Sequence, residues 1–263
     1  MSDTSIMPGA DFGKTAVDYA LHRAGPPAEL FERLAAFGVA LPGQLVCDLG
    51  SGTGALARPL AARGVRVIAT DISRPLLGQA RVLAGAAGTS LAGPVLCRAE
   101  NVPLRDGCLD AITASQCWHW FERPAAAAEC FRLVKPGGAL MITHFDWLPL
   151  AGTMVEAAEA LILQHNPRWG GAGGTGVYPR WPADAYGAGF REIETFSFDV
   201  DVPYSHEAWR GRIRASAGVG GSLTPEEVAR FDAEHTAILR ERFPAEPVVA
   251  PHRVWTLVGR KPV

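Results

Sequence analysis

Three groups of residues in this chain have types and spacings that can do chemistry. The first is Asp48-Leu49-Gly50-Ser51-Gly52-Thr53-Gly54, an acid followed by three alternating glycines. Glycines there let the chain turn tightly and bring bare backbone against a ligand. The second is Asp71, closing Val67-Ile68-Ala69-Thr70, where a carboxylate can accept both hydroxyls of a ribose; the alternative is an acid at a helix N-terminus beside Ser73. The third is a pair of histidine-bearing segments, Gln116-Cys117-Trp118-His119-Trp120-Phe121 and His144-Phe145-Asp146. Histidine is the natural general base at neutral pH, and His119 is the first choice. The alternative is a histidine that only hydrogen-bonds a neighbouring strand while Trp118 and Trp120 wall a pocket. His144 and Asp146, two residues apart on a strand, point to one side, so Asp146 either orients His144 or both are solvated.

The elements that must position these residues follow from hydrophobic periodicity. Strands are read at 44–49, 65–70, 94–98, 109–115 and 139–145, with helices at 55–63, 73–87 and 124–133. Ser73 is expected to cap the second of these, with Pro75 in its first turn. This alternation is the βαβ pattern of a doubly wound parallel sheet, in which ligands sit beyond the carboxyl ends of the strands. Every residue named above lies there. Ahead of the sheet, Pro26-Pro27 opens a helix ending at Gly38. After it, a helix at about 151–165 leads into Asn166–Gly176, whose five glycines predict mobility: either a bland surface loop or a lid. Phe190–Val202 reads as a strand, Thr224-Pro225-Glu226-Glu227 as a capping box opening a helix to about Phe243, and His252–Arg260 as a terminal strand.

The glycine turn fits two classes. Gly50-x-Gly52-x-x-Ala55 with Asp71 satisfies the loose dinucleotide fingerprint. Asp48, Gly50, Gly52 and Gly54 also match acid-x-Gly-x-Gly-x-Gly, and so resemble the first motif of class I S-adenosylmethionine (SAM)-dependent methyltransferases. Asp48 separates the two, because an acid suits the positive sulfonium and amino groups of SAM, whereas a dehydrogenase normally buries an apolar residue there. Arg98-Ala99-Glu100-Asn101-Val102-Pro103 resembles the adenine-pocket segment of the ubiquinone/menaquinone-biosynthesis methyltransferases, which often carry an aspartate in place of Arg98. Gln116-x-x-His119-Trp120-Phe121 resembles a signature of the group that includes the trans-aconitate methyltransferases, as does Tyr19-x-x-x-Arg23. Phe131-Arg132-Leu133-Val134-Lys135-Pro136-Gly137-Gly138 is similar to the family's turn before strand five.

The resemblance spans residues 15–145 and implies a Rossmann-like α/β fold with a mostly parallel seven-stranded sheet, its last strand antiparallel, and a helical lid inserted after strand five. It implies one domain over 1–263: N-terminal helices at 12–38, a core at about 40–146 and 188–263, and a lid at about 147–187. With the residue readings above, it assigns Tyr19, Arg23, Asp48, Gly50, Ser51, Gly52, Gly54, Asp71, Ile72, Ala99, Glu100, Gln116 and Trp118 to the cofactor, while residue type and strand-end position make His119, His144 and Asp146 the catalytic candidates. The expected activity is methylation of an O, N or C atom of a small molecule, with S-adenosylhomocysteine as product. The alternatives are a SAM-binding scaffold without methyl transfer, a repurposed cyclase or binding protein, and then a nicotinamide-dependent oxidoreductase.

Composition sets the remaining bounds. A formal charge of −2 argues against a polyanion such as nucleic acid as partner. The five cysteines are odd in number and contain no C-x-x-C pair, and most sit in apolar runs, as reduced buried thiols do. No metal site is expected. No apolar run is long enough to span a bilayer and the N-terminus lacks a signal-peptide pattern, so the expectation is a cytoplasmic protein acting away from membranes. Phe145, Trp147, Trp169, Tyr178 and Trp181 are expected to cover the acceptor or to pack the inserted segment. Arg210, Arg212 and Arg214 either serve an anionic acceptor or form a solvated helix face.

Overall fold

A computed structural model describes residues 24–263. Tyr19 and Arg23 lie outside the described residues. In chain order the elements are α1 (Ala28–Ala36), β1 (Leu45–Leu49), α2 (Ala57–Ala62), β2 (Arg66–Asp71), α3 (Arg74–Ala86), β3 (Gly93–Leu96), β4 (Leu109–Ser115), a 3-10 turn (Trp118–Trp120), α4 (Arg123–Leu133) and β5 (Val134–Trp147). These are followed by α5 (Met154–His165), α6 (Trp181–Ala188), β6 (Arg191–Tyr204), α7 (His206–Arg214), α8 (Pro225–Arg242) and β7 (Val248–Arg260).

The seven strands form one sheet in the order β3-β2-β1-β4-β5-β7-β6. β1 pairs in parallel with β2 and β4, β2 with β3, and β4 with β5. The sheet is mostly parallel with one antiparallel hairpin. Its strand order reverses between β1 and β4, and a switch point of that kind opens a crevice at the carboxyl ends of the two strands. The residues after Leu49 and after Ser115 therefore begin side by side, 66 positions apart in sequence but in adjacent rows of the sheet.

Two compact units are resolved: a first unit of residues 25–145, 178–198 and 254–263, and a second of 146–177 and 199–253 with Ala24. The segment 147–187, read as a lid, is divided between them at Val177. The first unit's core is built from the buried strands β1, β4 and β5 with Val102, Leu133, Trp118, Trp181, Phe190 and Trp255. The second has its own core, in which Ile162 of α5, Trp209 and Ile213 of α7, and Phe231 and Leu239 of α8 pack with Trp169 and Tyr204. Removing a side chain of this size from water contributes about 1.5–3 kcal/mol, so each unit has apolar contacts enough to be compact by itself.

Local differences from the sequence reading have identifiable causes. Ser73 stands at the N-cap of α3, but its hydroxyl makes no cap; the Ser73 N–H donates to Asp71 Oδ1 instead, at 2.8 Å. Lys135–Gly138, expected as a turn before strand five, is the bulged beginning of β5, where the register against β4 shifts between Leu109 and Ala111. Gly138 permits this, since a Cβ there would lie 2.8 Å from the Lys135 carbonyl oxygen. At Thr224 the capping box is formed as expected: Thr224 Oγ1 accepts from Glu227 N–H, and Glu227 Oε2 accepts from Thr224 N–H.

Candidate functional site

The glycine turn begins where β1 ends. Gly50, Gly52 and Gly54 have φ of 55°, 56° and 78°, a left-handed backbone that only glycine adopts without strain. Gly50 also has no room for a side chain, because a Cβ there would lie 2.8 Å from Cys117 Cβ. Gly52 differs: nothing lies within 4 Å of the place a Cβ would take, so its bare face opens outward. Helix α2 starts at Ala57, two residues later than read, so the turn and not the helix end supplies the backbone presented here.

Asp71 ends β2 and holds this turn. Its Oδ2 accepts from the Gly52 N–H at 2.8 Å while Oδ1 takes the Ser73 N–H. A carboxylate has about four lone-pair sites, so two remain for further donors. Ile72, the next residue, is 73% exposed, an apolar side chain left uncovered beside the carboxylate. Asp48 is placed otherwise. It is 1% exposed at the end of β1, and Thr113 Oγ1 donates to its Oδ1 at 2.7 Å. Burial pushes its carboxyl up to about 6, and the Thr113 hydrogen bond opposes that rise. Asp48 is thus a negative charge beneath the turn at neutral pH, and its side chain is closed off from solvent.

After β3, Glu100 is anchored on both oxygens. Oε1 accepts from the Glu122 N–H at 2.9 Å and Oε2 lies 3.2 Å from Arg98 Nε. Arg98 stands where the related enzymes often have an acid, and it engages Glu100 by its side chain and Asn101 by a backbone bridge. Ala99 beside it is buried.

The run after β4 is folded against both neighbouring strands. Gln116 is left-handed at φ 62°, its N–H donating to the Thr143 carbonyl, and its Nε2 is buried with no hydrogen-bond partner among the described residues. Cys117 Sγ donates to the Leu49 carbonyl at 3.1 Å, fastening this run to the end of β1. Trp118 takes a different part from the pocket wall expected of it. It is fully buried in the first unit's core and donates its indole N–H to Asp184 Oδ2, which also lies 3.5 Å from Arg123 Nε. Trp120 is the exposed tryptophan of the pair, at 39%.

His119 meets His144 through Nδ1 and Nε2, 3.4 Å apart. Ser115 pairs with Thr143 in the β4–β5 register, so residues just beyond those two positions come together. His144 is buried, its ring centroid 4.5 Å from that of Tyr178 and 4.8 Å from that of Trp181. Asp146 follows on β5 at the start of the second unit's residues. Tyr178 and Trp181, expected to cover the acceptor or to pack the inserted segment, stack at 3.9 Å, and Trp181 packs on Trp255 in the core. The His119–His144 pair and the Asp71–Gly52 contact were both missed in the sequence, where 25 and 19 residues separate the partners. Their only signal was position: Asp71 closes β2, Gly52 and His119 follow the ends of β1 and β4, and His144 lies near the end of β5.

In the second unit, the glycine-rich segment is fastened rather than loose. Glu159 Oε2 accepts from the Gly173 N–H at 2.8 Å and its Oε1 from Trp147 Nε1 at 2.6 Å; Arg253 donates to the Thr175 carbonyl. Burial raises the Glu159 carboxyl above its ordinary range, and those two donors oppose the rise. Trp169 is 7% exposed, and a Cβ on Gly171 or Gly218 would strike its ring at 2.7 and 3.0 Å. The arginines read as serving an anionic acceptor or a solvated face are otherwise engaged. Arg210 and Arg214 both pair with Asp232 and Glu207, and Arg212 lies over Trp147 at 4.5 Å. No cluster of three or more His, Cys, Asp or Glu able to hold a metal occurs among the described residues, and all five cysteines are unpaired thiols.

With this geometry in view, the profile of the methyltransferase domain family matches residues 47–142, from the strand before the glycine turn to the middle of β5. That segment of the chain is similar to a methyltransferase domain. An uncharacterized methyltransferase of Mycobacterium tuberculosis is 35% identical over 156 residues, covering 59% of this chain and 60% of that one. The ubiquinone/menaquinone biosynthesis C-methyltransferase of Cupriavidus metallidurans is 38% identical over 117 residues, covering 41% of this chain and 47% of its own. The chain thus spans three-fifths or less of the length of these relatives. Among solved structures, a putative type II methyltransferase from Anaeromyxobacter dehalogenans superposes with a TM-score of 0.66 at 21% identity, covering 92% of this chain and 99% of that one, a likeness of fold. The residues of this segment fit SAM. Gly52 offers an open backbone face, Asp71 has spare acceptor sites, Asp48 sets a negative charge beneath, and Gln116 Nε2 is a buried donor with none of the described residues to receive it.

Proposed function

We propose that this protein transfers a methyl group from SAM to an O, N or C atom of a small-molecule acceptor, leaving S-adenosylhomocysteine. The observation that carries the choice of cofactor is Asp71 on the Gly52 amide. A dinucleotide site offers that backbone to a pyrophosphate; here a carboxylate already occupies the amide, with a second one, Asp48, below, and both repel an anion. A ligand with ribose hydroxyls and a cationic centre suits the same arrangement.

Bound SAM would supply a methyl carbon already activated by its sulfonium, so that holding the acceptor close and aligned provides much of the rate. Asp71 accepts the ribose hydroxyls, Ile72 and Ala99 give apolar contact to the adenine, and Glu100 holds the segment after β3 in place. Gly50, Ser51 and Gly54 shape the turn, Gln116 donates from the facing strand end, and Trp118 supports that strand end from the core. His119 is the general base, in contact with His144, and Asp146 is the further catalytic candidate on β5. The partner is a small molecule, and the formal charge of −2 supports no nucleic acid. No helix among the described residues is long and apolar enough to cross a membrane, which supports action away from one.

Calorimetry with SAM and with NADH tests the cofactor. SAM should bind, and Asp71→Ala should weaken it by about 10–100-fold, the worth of one or two hydrogen bonds to a charged acceptor. Binding of NADH alone would overturn the reading. A panel of phenols, amines and carboxylic acids read out as S-adenosylhomocysteine then tests turnover, and SAM binding with a silent panel would favour the scaffold.

A further inference from the structure

Arg132 lies in the run Phe131–Gly138, read from the sequence as a turn before strand five. It stands instead in the last turn of α4, and its side chain reaches carbonyls 28 and 30 positions earlier, in the segment that connects β3 to β4. Its Nε and Nη2 donate to the two carboxylate oxygens of Glu129, one turn back, at 2.8 and 2.7 Å. Nη1 donates to the Leu104 carbonyl at 2.9 Å and also meets Asp106, while Nη2 donates to the Val102 carbonyl at 3.1 Å. Glu129 Oε1 in turn accepts the Val102 N–H at 2.7 Å. One ion pair therefore takes both backbone groups of Val102, a residue 1% exposed, and the carbonyl two residues on.

Buried backbone groups of a connecting segment need partners, and here helix side chains supply what a neighbouring strand would give elsewhere. Burial pushes the Glu129 carboxyl up, but Arg132 and the Val102 N–H outweigh it and hold it below the usual carboxylate range. The pair is bidentate and charge-assisted, the strong kind of contact. Asp106 adds little to it, since its side chain is 80% exposed. At the other end of α4, the N–H of its N-cap residue Glu122 donates to Glu100 Oε1. The helix thus grips the segment after β3 from both of its ends.

We infer that Glu129 and Arg132 are positioning residues for the cofactor: they fix the backbone that follows Ala99 and Glu100, so that the side facing the adenine is formed before the cofactor arrives. This rests on the proposed binding of SAM. A segment already fixed loses no conformational freedom when ligand binds, whereas each residue that must be ordered at that moment weakens affinity by about tenfold. A Glu and an Arg three residues apart also stabilise a helix by themselves. The two roles differ in direction. A pair that serves only its helix keeps most of its worth with the residues exchanged. The clamp does not, because a guanidinium at 129 cannot accept the Val102 N–H and a carboxylate at 132 cannot donate to carbonyls.

The test compares three full-length chains: wild type, Arg132→Lys, and the double exchange Glu129→Arg with Arg132→Glu. Each is titrated with SAM by calorimetry, and its amide hydrogen exchange is followed without ligand. Arg132→Lys keeps the charge but loses the fork, and should bind SAM about tenfold more weakly. The exchanged chain should bind at least as weakly and lose protection at the Val102 amide, while the amides of β1 and β5 stay protected. Wild-type SAM affinity in the exchanged chain would show a pair that serves only its helix and overturn the proposal. Protection lost evenly across β1, β5 and Val102 would overturn it too, since that marks a general loss of stability. If the exchanged chain does not fold, wild-type affinity in Arg132→Lys overturns it equally. Failure of wild-type protein to bind SAM would instead reject the cofactor reading, and Val102 exchange in Arg132→Lys would still decide whether the pair holds the segment.

Discussion

Asp48 of the first compact unit and His235 of the second are ionisable groups buried in opposite ways. In the first, Asp48 is closed off beneath the glycine turn but receives the Thr113 hydroxyl, and its neighbour Asp71 receives two backbone amides. Each of these bonds joins segments that the site needs together. In the second, His235 on α8 is fully buried and neither ring nitrogen has a hydrogen-bond partner among the described residues; its ring packs against Phe231 at 5.6 Å. Burial depresses its pKa to about 4, and the nearby Asp232 opposes that shift. Polar burial at Asp48 and Asp71 joins segments of the candidate site, whereas at His235 it is a cost borne by an apolar core. This is why the first unit reads as motifs and the second as little more than periodicity.

The largest effect should come from the turn that makes the first unit specific. Gly50→Ala combines left-handed strain with a clash against Cys117, and should cost about 2–5 kcal/mol in denaturant unfolding. Gly52→Ala has the same strain but open space, and should cost only about 1–2 kcal/mol while still blocking the ligand face. Equal losses of stability in the two variants would break the distinction between a packed and a presented glycine.

Acid should separate the units next. His235 is depressed from 6.5 to about 4, so below about pH 6.5 the unfolded chain binds a proton that the folded one refuses. The second unit then loses up to about 3 kcal/mol as pH falls to 4. Asp48 is raised from 3.8 to about 6, so its ionised form carries a comparable cost above pH 6 that is relieved as pH falls toward 3.8. Hydrogen exchange followed amide by amide should show α8 losing protection over this range while β1 gains it. His235→Leu should abolish the first slope and Asp48→Asn the second; a single slope shared by both elements would refute the contrast.

The smallest effect concerns the glycine-rich segment. Glu159→Gln keeps an acceptor for one donor but weakens two charge-assisted bonds, to Gly173 and Trp147, at a cost of about 1–2 kcal/mol. Limited proteolysis should then cut more readily within 170–176. An unchanged digestion rate would show that Trp169, seated against Gly171 and Gly218, holds the segment without the carboxylate.

How much was legible follows the same division. The strand at 109–115 was read at its observed limits, and β1, β2 and the helix at 123–133 within a residue or two, because buried parallel strands are short apolar runs closed by turn residues. Helix α6 was missed although its signals were present: Pro182 in its first turn and Gly189 left-handed at its end, φ 110°. Its aromatic residues had drawn attention to a pocket instead. Mobility at 166–176 was expected from glycine content, but two of those glycines, Gly171 and Gly176, serve close approach to Trp169 and Arg253, which composition cannot distinguish from freedom.

By itself the sequence determined the local devices. Asp48 to Gly54 dictates a strand, an acid and a left-handed turn, since only glycine fits that backbone, and Thr224 with Glu227 dictates a helix start. Tertiary structure alone decided that Asp48 is enclosed while Asp71 holds the glycine turn, and that His119 meets His144. Those outcomes depend on the strand order β2-β1-β4-β5 and its register, which bring residues 19 to 65 positions apart within 3 Å or so. Spacing along a chain carries no record of which strands will be neighbours.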